Sequence, residues 1–303
     1  MPPPQFNKII DRVGFDETAV PRWQSVSLGS GFFARKSVDL QFGDGMTVTS
    51  QDPNIATITP DSTVPGRFEI EGRATGITFI DVFDPTSGNR FSKLLEVDVK
   101  GEKRVKIAYH FVDKTLVNQS QITGQVHGNL TVNIYEPQAN VVFDMTRATP
   151  IMVTTTLRDI ISELKQSTRR IIKHREWDDL ISWGDKSADI NVFFMEWDGR
   201  PNDAPSEALA QFDFDKGGFN IVCPDGMTAH QVERALAHEI GRFFGCFTTN
   251  SQQQKHQLMF RTFDYPDLAQ FIRSGDYQSF DSRKLADSRN ITKDCANLIN
   301  PTL

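Results

Sequence analysis

The sequence has no excess of positive charge, few cysteines and no long apolar run, and each absence excludes a class of protein. It contains 33 Lys and Arg against 39 Asp and Glu, a net charge of -6. Nucleic-acid-binding domains usually carry a basic surface, so we expect no nucleic-acid partner. The three cysteines are too few for a disulfide framework, and their odd number leaves at least one free thiol. No apolar run reaches about 18 residues, so we expect no membrane span.

The start of the chain also lacks a feature, because residues 1–8 contain no apolar core of a Sec signal peptide. Three interpretations follow: the protein is cytoplasmic, it is exported by a route that does not use such a signal, or a leader has been removed. The length of 303 residues allows two domains of ordinary size.

The first third of the chain has the pattern of a β-protein. Residues 1–25 are interrupted by proline and lack periodicity, which indicates a tail or connector. Between residues 26 and 100, short segments alternate polar and apolar side chains, as in residues 95–99 (LEVDV). Turn signals such as residues 43–45 (GDG) and 65–66 (PG) separate them. This spacing predicts an all-β sandwich.

Two motifs in this region resemble those of bacterial immunoglobulin-like (Ig-like) domains of the Big-2 type. Residues 50–58 (SQDPNIATI) are similar to the S-x-D-x-x-I-A-x-V strand of that family, and residues 72–80 (GRATGITFI) are similar to its later G-x-x-x-G-x-T-x-I strand. The resemblance implies a spacer or adhesive module. A generic β-sandwich without a binding role of its own is the alternative interpretation.

The rest of the chain alternates between strand-like and helix-like segments, which predicts an α/β (α+β) domain. Strands are predicted at residues 104–112, 141–145, 189–195 and 218–223, and helices at residues 116–135, 157–173 and 228–245.

Residues 236–245 (LAHEIGRFFG) carry the candidate chemistry of this domain. In a zinc-peptidase helix, two histidines four residues apart bind the metal, and the Glu beside the first is the general base. Here the first histidine is His238 and the base is Glu239, but the second histidine is replaced by Arg242. A guanidinium stays protonated and has no lone pair to offer a metal.

These features resemble the metzincin zinc peptidases over roughly residues 104–290. The helix matches their H-E-x-x-H-x-x-G pattern except at the second histidine, and residues 133–143 (NIYEPQANVVF) are similar to their first helix and following strand. Met259 lies where the family places its Met-turn. Thr248 occupies the third-ligand position, so His238 is the only one of the expected histidines that remains.

The fold expected from these patterns is multidomain. It has a tail or connector (1–25), an all-β Ig-like sandwich of the Big-2 type (26–100) and an α/β (α+β) metzincin-like metallopeptidase domain (101–303). The leading functional hypothesis is a catalytically impaired metallopeptidase homologue that acts by binding a protein or peptide, or by structure alone.

Two other functions stay open. The first is an active zinc endopeptidase with non-standard ligands, in which Glu239 is the base and His238, His256 and a carboxylate such as Asp264 hold the ion. The second is a non-enzymatic adhesive or secretion-system component in which both domains are spacers. Zinc is the cofactor that the resemblance implies, and it is either bound by such a rebuilt set or absent.

Arg242 suggests a more specific hypothesis. Because it follows Glu239 by three residues, the two side chains can form an ion pair on one helix. The guanidinium would then stand in for the zinc and repel divalent ions. The alternative is that Arg242 points to solvent and has no role.

Overall fold

A computed structural model describes most of the first half of the chain and parts of the second. The described residues are 2–9, 14–29, 32–43, 45–112, 119–151, 182–194, 210–213, 218–222, 229–246 and 291–302. They are mostly β-sheet with few helices. The chain forms two compact units. The first, called the sandwich unit, comprises Met1–Lys103, Thr131–Val142 and Ala286–Leu303, and the second comprises Arg104–Leu130 and Phe143–Leu285.

The described part of the sandwich unit contains nine strands. They are β1 (Gln5–Lys8), β2 (Phe15–Asp16), β3 (Arg22–Ser27), β4 (Arg35–Gln41), β5 (Thr47–Ser50), β6 (Ala56–Pro60), β7 (Arg67–Gly72), β8 (Gly76–Phe83) and β9 (Arg90–Lys100). One sheet has the order β1-β4-β7-β6 and the other has the order β2-β3-β9-β8-β5. All the described pairings are antiparallel except that of β3 with β9, which is parallel.

The two sheets share one apolar core, to which alternate residues of each strand contribute. Val38 and Ile70 contribute from one sheet, and Val82, Leu95 and Val97 contribute from the other; all five are fully buried. Because alternate side chains point to opposite faces of a strand, each strand gives the core every second residue.

Residues 1–25 differ from the expected tail or connector, because they contain two strands and most of a third. Phe6 of β1 pairs with Leu40 of β4, and Trp23 of β3 pairs with Glu96 of β9. The sequence does not reveal these strands because they are too short to show a period. Their partners also lie far along the chain, where no local pattern points to them.

The helices described here are α1 (Gln119–Ala139), α2 (Ala229–Phe243) and α3 (Lys293–Ile299). Two π-helical stretches, Ile122–Val126 and Leu130–Tyr135, interrupt α1. The helix continues beyond residue 135, where its end was predicted, through Pro137 to Asn140, whose φ of 51° is left-handed. The helix predicted at residues 157–173 lies outside the described residues. None of the helices in the described part of the chain is long and apolar enough to cross a bilayer.

A third sheet follows the sandwich strands in the sequence. Its strands are β10 (Lys103–Val112), β11 (Val141–Ile151), β12 (Ile190–Phe194), β13 (Ala210–Asp213) and β14 (Gly218–Val222), in the order β11-β10-β12-β14-β13. β10, β12 and β14 run parallel, whereas β13 runs antiparallel to β14. The predicted strands are present here, and β13 is an additional one.

Candidate functional site

Helix α2 carries the candidate motif and is amphipathic. Val232, Leu236 and Ile240 repeat every four residues and are buried, which places them on one face of the helix. The helix packs against β13, β14 and the first π-helical stretch of α1. His238 and Arg242 are also four residues apart, and both are partly exposed. Burial of the apolar face therefore fixes the direction in which the motif residues lie.

The C-terminal end of α2 is closed by Gly245, as its position predicts. Gly245 has a φ of 88°, and its N–H donates to the carbonyl of Arg242 at 2.9 Å. The N–H of Cys246 donates to the carbonyl of Gly241 at 3.0 Å. These two bonds form a Schellman motif, which satisfies carbonyls that the end of a helix would otherwise leave unpaired.

Glu239 and Arg242 form the ion pair that their spacing predicts. Nη1 of Arg242 donates to Oε2 of Glu239 at 2.9 Å. The Glu239 side chain is only 8% exposed and that of Arg242 is 33% exposed, so the bond shields a mostly buried carboxylate. A charge-assisted bond of this length is stronger than a neutral one. The carboxylate that would be the general base is therefore engaged with a cation on its own helix.

The residues of α2 do not fit a zinc ion. A catalytic zinc needs three protein ligands, but the helix holds a guanidinium at the second-ligand position. Its other histidine, His230, lies eight residues before His238, about 12 Å along the axis, and cannot share an ion with it. Within the described ranges, no group of three or more His, Cys, Asp or Glu side chains is arranged to hold a metal ion. Thr248, His256, Met259 and Asp264 lie outside the described residues.

Two hydrogen bonds that the sequence did not indicate attach α1 to its neighbours. Nδ2 of Asn129 donates to Oε2 of Glu233 at 2.8 Å, which joins α1 to α2 one turn before His238. The hydroxyl of Tyr109 on β10 lies 3.0 Å from Nδ1 of His127. Asn129 and His127 occupy the short α-helical stretch between the two π-helical ones. Local irregularities of this kind redirect side chains, and neither hydrophobic periodicity nor a motif marks them.

Burial shifts the pKa values of both side chains in the contact between Tyr109 and His127. It lowers the pKa of His127 below its ordinary value, although a hydrogen bond with the Phe143 backbone and the charge of Asp144 oppose the effect. It raises the pKa of Tyr109 well above its ordinary value. The imidazole and the phenol are therefore both neutral over the physiological range.

The other conspicuous side chains around the motif have structural roles. The rings of Phe243 and Phe244 meet edge to face at 5.1 Å. Cys246 is buried and disulfide-bonded. His110 on β10 is a core histidine: its Nε2 lies 2.8 Å from Oδ1 of Asn191, and its ring stacks on Phe193 at 4.6 Å.

Comparisons with known proteins return low similarities only. No family model matches the chain, and no curated protein matches it. Archaemetzincin from Methanopyrus kandleri is 14% identical over 65% of this chain and 93% of its own, with a TM-score of 0.40. Metalloproteinase-II from Bacteroides fragilis is 9% identical over 78% of each chain, with a TM-score of 0.30. Domains 5–6 of the S-layer protein SbsC are 21% identical over 38% of this chain and 57% of theirs, with a TM-score of 0.21. These values assign neither a family nor a function.

Proposed function

We propose that residues 101–303 are a metzincin-like metallopeptidase domain that no longer hydrolyses peptides through a metal and that acts by binding a protein or peptide. In the same proposal, residues 26–100 contribute an Ig-like module of the Big-2 type. The observation that carries the proposal is the 2.9 Å bond between Arg242 and Glu239. It occupies the candidate base and places a permanent cation where a metal ligand is expected.

Two further features support peptide binding. In the described part of the third sheet, β13 is an edge strand, and α2 packs against it and β14. An edge strand presents backbone groups to which an extended peptide can pair. Arg242 is a permanent cation whose side chain is 33% exposed, and its charge would attract an acidic side chain in that peptide.

The first test is the metal content of native protein purified without chelator and of the Arg242→His variant. We expect the native chain to hold far less than about one zinc, because its helix lacks the ligands of a catalytic site. About one zinc per native chain at submicromolar affinity would overturn the proposal and revive the zinc endopeptidase. Arg35→His, which adds a histidine at the exposed first residue of β4, controls for zinc bound by any new histidine.

Uptake of zinc by Arg242→His alone would show that the cation at position 242 excludes the metal. No uptake by either protein would show that the other ligand positions have also been lost, and it leaves the binding hypothesis in place. Binding is tested separately with a labelled extended peptide carrying a central Glu. We expect Arg242→Ala to weaken it roughly fivefold or more, and a Gln peptide to be insensitive to the change. If the variant binds the Glu peptide as well as the native chain does, the non-enzymatic spacer becomes the better hypothesis.

A further inference from the structure

The outward face of the paired strands β3 and β9 is polar but buried. In residues 95–100 (LEVDVK) of β9, Leu95, Val97 and Val99 face the core. Because alternate side chains of a strand point to opposite faces, Glu96, Asp98 and Lys100 face outward. The outward side chains would lie in water on an ordinary sandwich. Their exposures are instead 5%, 0% and 1%. Something in the sandwich unit therefore covers this face.

The cover consists of the end of α1 and of residues 291–302, which we call the strap. Nδ2 of Asn300 donates to the carbonyls of Gly101 and Ala139, both at 2.8 Å. The N–H of Ile291 donates to Oε1 of Gln138 at 2.8 Å. Ile291 and Asn300 are near the two ends of the strap, so the strap is attached along its length.

Lys100 is the centre of this contact. Its fully buried ammonium lies 2.8 Å from Oδ2 of Asp98 and donates to the carbonyl of Asn300 at 2.8 Å. It also donates to Oδ1 of Asn297 at 3.0 Å and to the hydroxyl of Thr302 at 3.2 Å. The Thr302 hydroxyl donates in turn to Asp98. The strap thus supplies three of the four acceptors around a buried charge, which is costly to bury without them.

A second ion pair attaches the start of α3. Nζ of Lys293 lies 2.6 Å from Oε2 of Glu96, whose side chain is 7% exposed, and these residues are 197 positions apart in the sequence. The N–H of Lys293 donates to Oδ2 of Asp16 on β2 at 3.0 Å. The hydroxyl of Thr292 accepts from the N–H of Cys295 and caps the helix. Cys295 is itself disulfide-bonded.

We infer that the outward face of β3 and β9 is a docking site for the strap, and that the sandwich needs this segment to reach its stable fold. Without the strap, Asp98 and Lys100 would be left with only each other on a face that no other described strand covers. The sandwich therefore depends on a distant part of the chain, the strap, and is not a separable spacer. This inference uses no residue of α2 and does not depend on the proposed function.

A charge-swap cycle on the full chain tests the contact, using Glu96→Lys, Lys293→Glu and the double variant. Each single change places like charges together, so we expect its unfolding temperature to fall by about 4 °C or more, and the double variant to recover at least half of the loss. Losses that simply add would overturn the inference. Asp294→Asn removes an exposed charge from the first turn of the same helix and serves as the matched control, with an expected fall of no more than about 2 °C from the lost helix-dipole interaction.

Hydrogen exchange of Thr302→Val tests whether the sandwich needs the strap, and this mild change keeps the chain foldable. Valine removes the hydroxyl that joins Asp98 and Lys100. We expect exchange to rise about tenfold in the strap and also in β3 and β9, because they open together. If exchange rises in the strap while β3 and β9 stay as protected as in native protein, the sandwich is self-sufficient and the inference fails.

Discussion

At the scale of single residues, Arg242 shows how one side chain changes what a helix can do. A neutral histidine at that position would offer Glu239 no permanent cation. The arginine instead holds the carboxylate at 2.9 Å, and its charge opposes a second cation on the same face. Arg242 also affects the stability of the fold, because burying most of a carboxylate costs free energy unless the carboxylate is paired.

A double-mutant cycle on this pair gives the first prediction. We expect Glu239→Gln and Arg242→Met to show a coupling energy of about 1–2 kcal/mol in urea unfolding, because Glu239 is mostly shielded from water. The Arg35–Glu69 pair, whose side chains are 60% and 43% exposed, is the matched control. Its coupling should be about 0.5 kcal/mol or less. Equal coupling energies for the two pairs would show that the bond between Glu239 and Arg242 contributes no more to stability than an exposed ion pair does.

Lys36 on β4 gives the second prediction, which concerns pH. Its buried Nζ donates to the carbonyl of Pro137 at 2.9 Å and lies 4.8 Å from the centre of the Phe33 ring. Burial lowers the pKa of Lys36 to about 7, with the charge of Glu136 opposing it. Between about pH 7 and the unfolded value of about 10.4, the unfolded chain binds a proton that the folded chain lacks. The folded state therefore gains stability as the pH rises through this window.

Urea unfolding of native protein and Lys36→Met at about pH 7 and pH 9 measures this effect. The native free energy of unfolding should rise relative to that of the variant, by at most about 1.4 kcal/mol per pH unit. Loss of the bond to Pro137 lowers the stability of the variant equally at each pH. The test is therefore the change in the free energy of unfolding with pH and not its absolute value. Parallel pH profiles would contradict the prediction.

At the scale of elements, two glycines with similar surroundings are predicted to behave oppositely. A Cβ at Gly245 or at Gly128 would meet nothing within 4 Å, so packing does not decide either case. Gly245 has a φ of 88°, which disfavours alanine, and Gly245→Ala should cost about 1 kcal/mol. Gly128 lies within α1, where Gly128→Ala should stabilise by about 0.5–1 kcal/mol. Thermal unfolding of both variants checks the signs, and a shared sign would refute the argument.

The elements that the sequence predicted are those whose signals are local. Helix α2 was predicted with its terminator, because apolar periodicity and Gly245 lie within one stretch of chain. Alternation in residues 95–99 correctly identified β9 and its core-facing side chains. The same alternation does not reveal that the outer face of β9 is covered, because the covering strap lies nearly 200 residues away.

One contact of the candidate site was predictable for the same reason. His238, Glu239 and Arg242 share one helix, so their spacing allowed the last two to meet, with a solvent-directed Arg242 as the alternative. The hydrogen bond from Asn129 to Glu233 was not predictable. The direction of the Asn129 side chain depends on the π-helical stretches on either side of it, and no residue pattern predicts those stretches. Pairings between distant segments depend on the whole fold, and one sequence does not encode them in any local signal.

At the scale of the whole molecule, neither unit is one continuous stretch of chain. The chain leaves the sandwich unit after Lys103, returns for Thr131–Val142 and returns again for Ala286–Leu303. The two later returns have no compositional signal in the sequence. Each unit nevertheless has a buried titratable group of its own, Lys36 in the first and His127 in the second, so pH can act on the two separately.

The last prediction is that acid and base move different unfolding transitions in calorimetry. Lys36 makes the sandwich unit more stable as the pH rises above about 7. Burial lowers the pKa of His127, so below about pH 6.5 the unfolded chain binds a proton that the folded second unit lacks. The second unit should therefore lose stability as the pH falls below about 6.5, where Lys36 is already mostly protonated in both states and contributes little change.

His127→Gln should reduce the acid shift and leave the alkaline one, and Lys36→Met should reduce the alkaline shift and leave the acid one. Glutamine keeps a polar group near the hydroxyl of Tyr109 without a charge to gain, so the acid sensitivity that remains reports the other titratable groups of the unit. If either variant removed both shifts, the two units would not unfold as separate cooperative bodies. The pH response would then belong to the molecule as one structure.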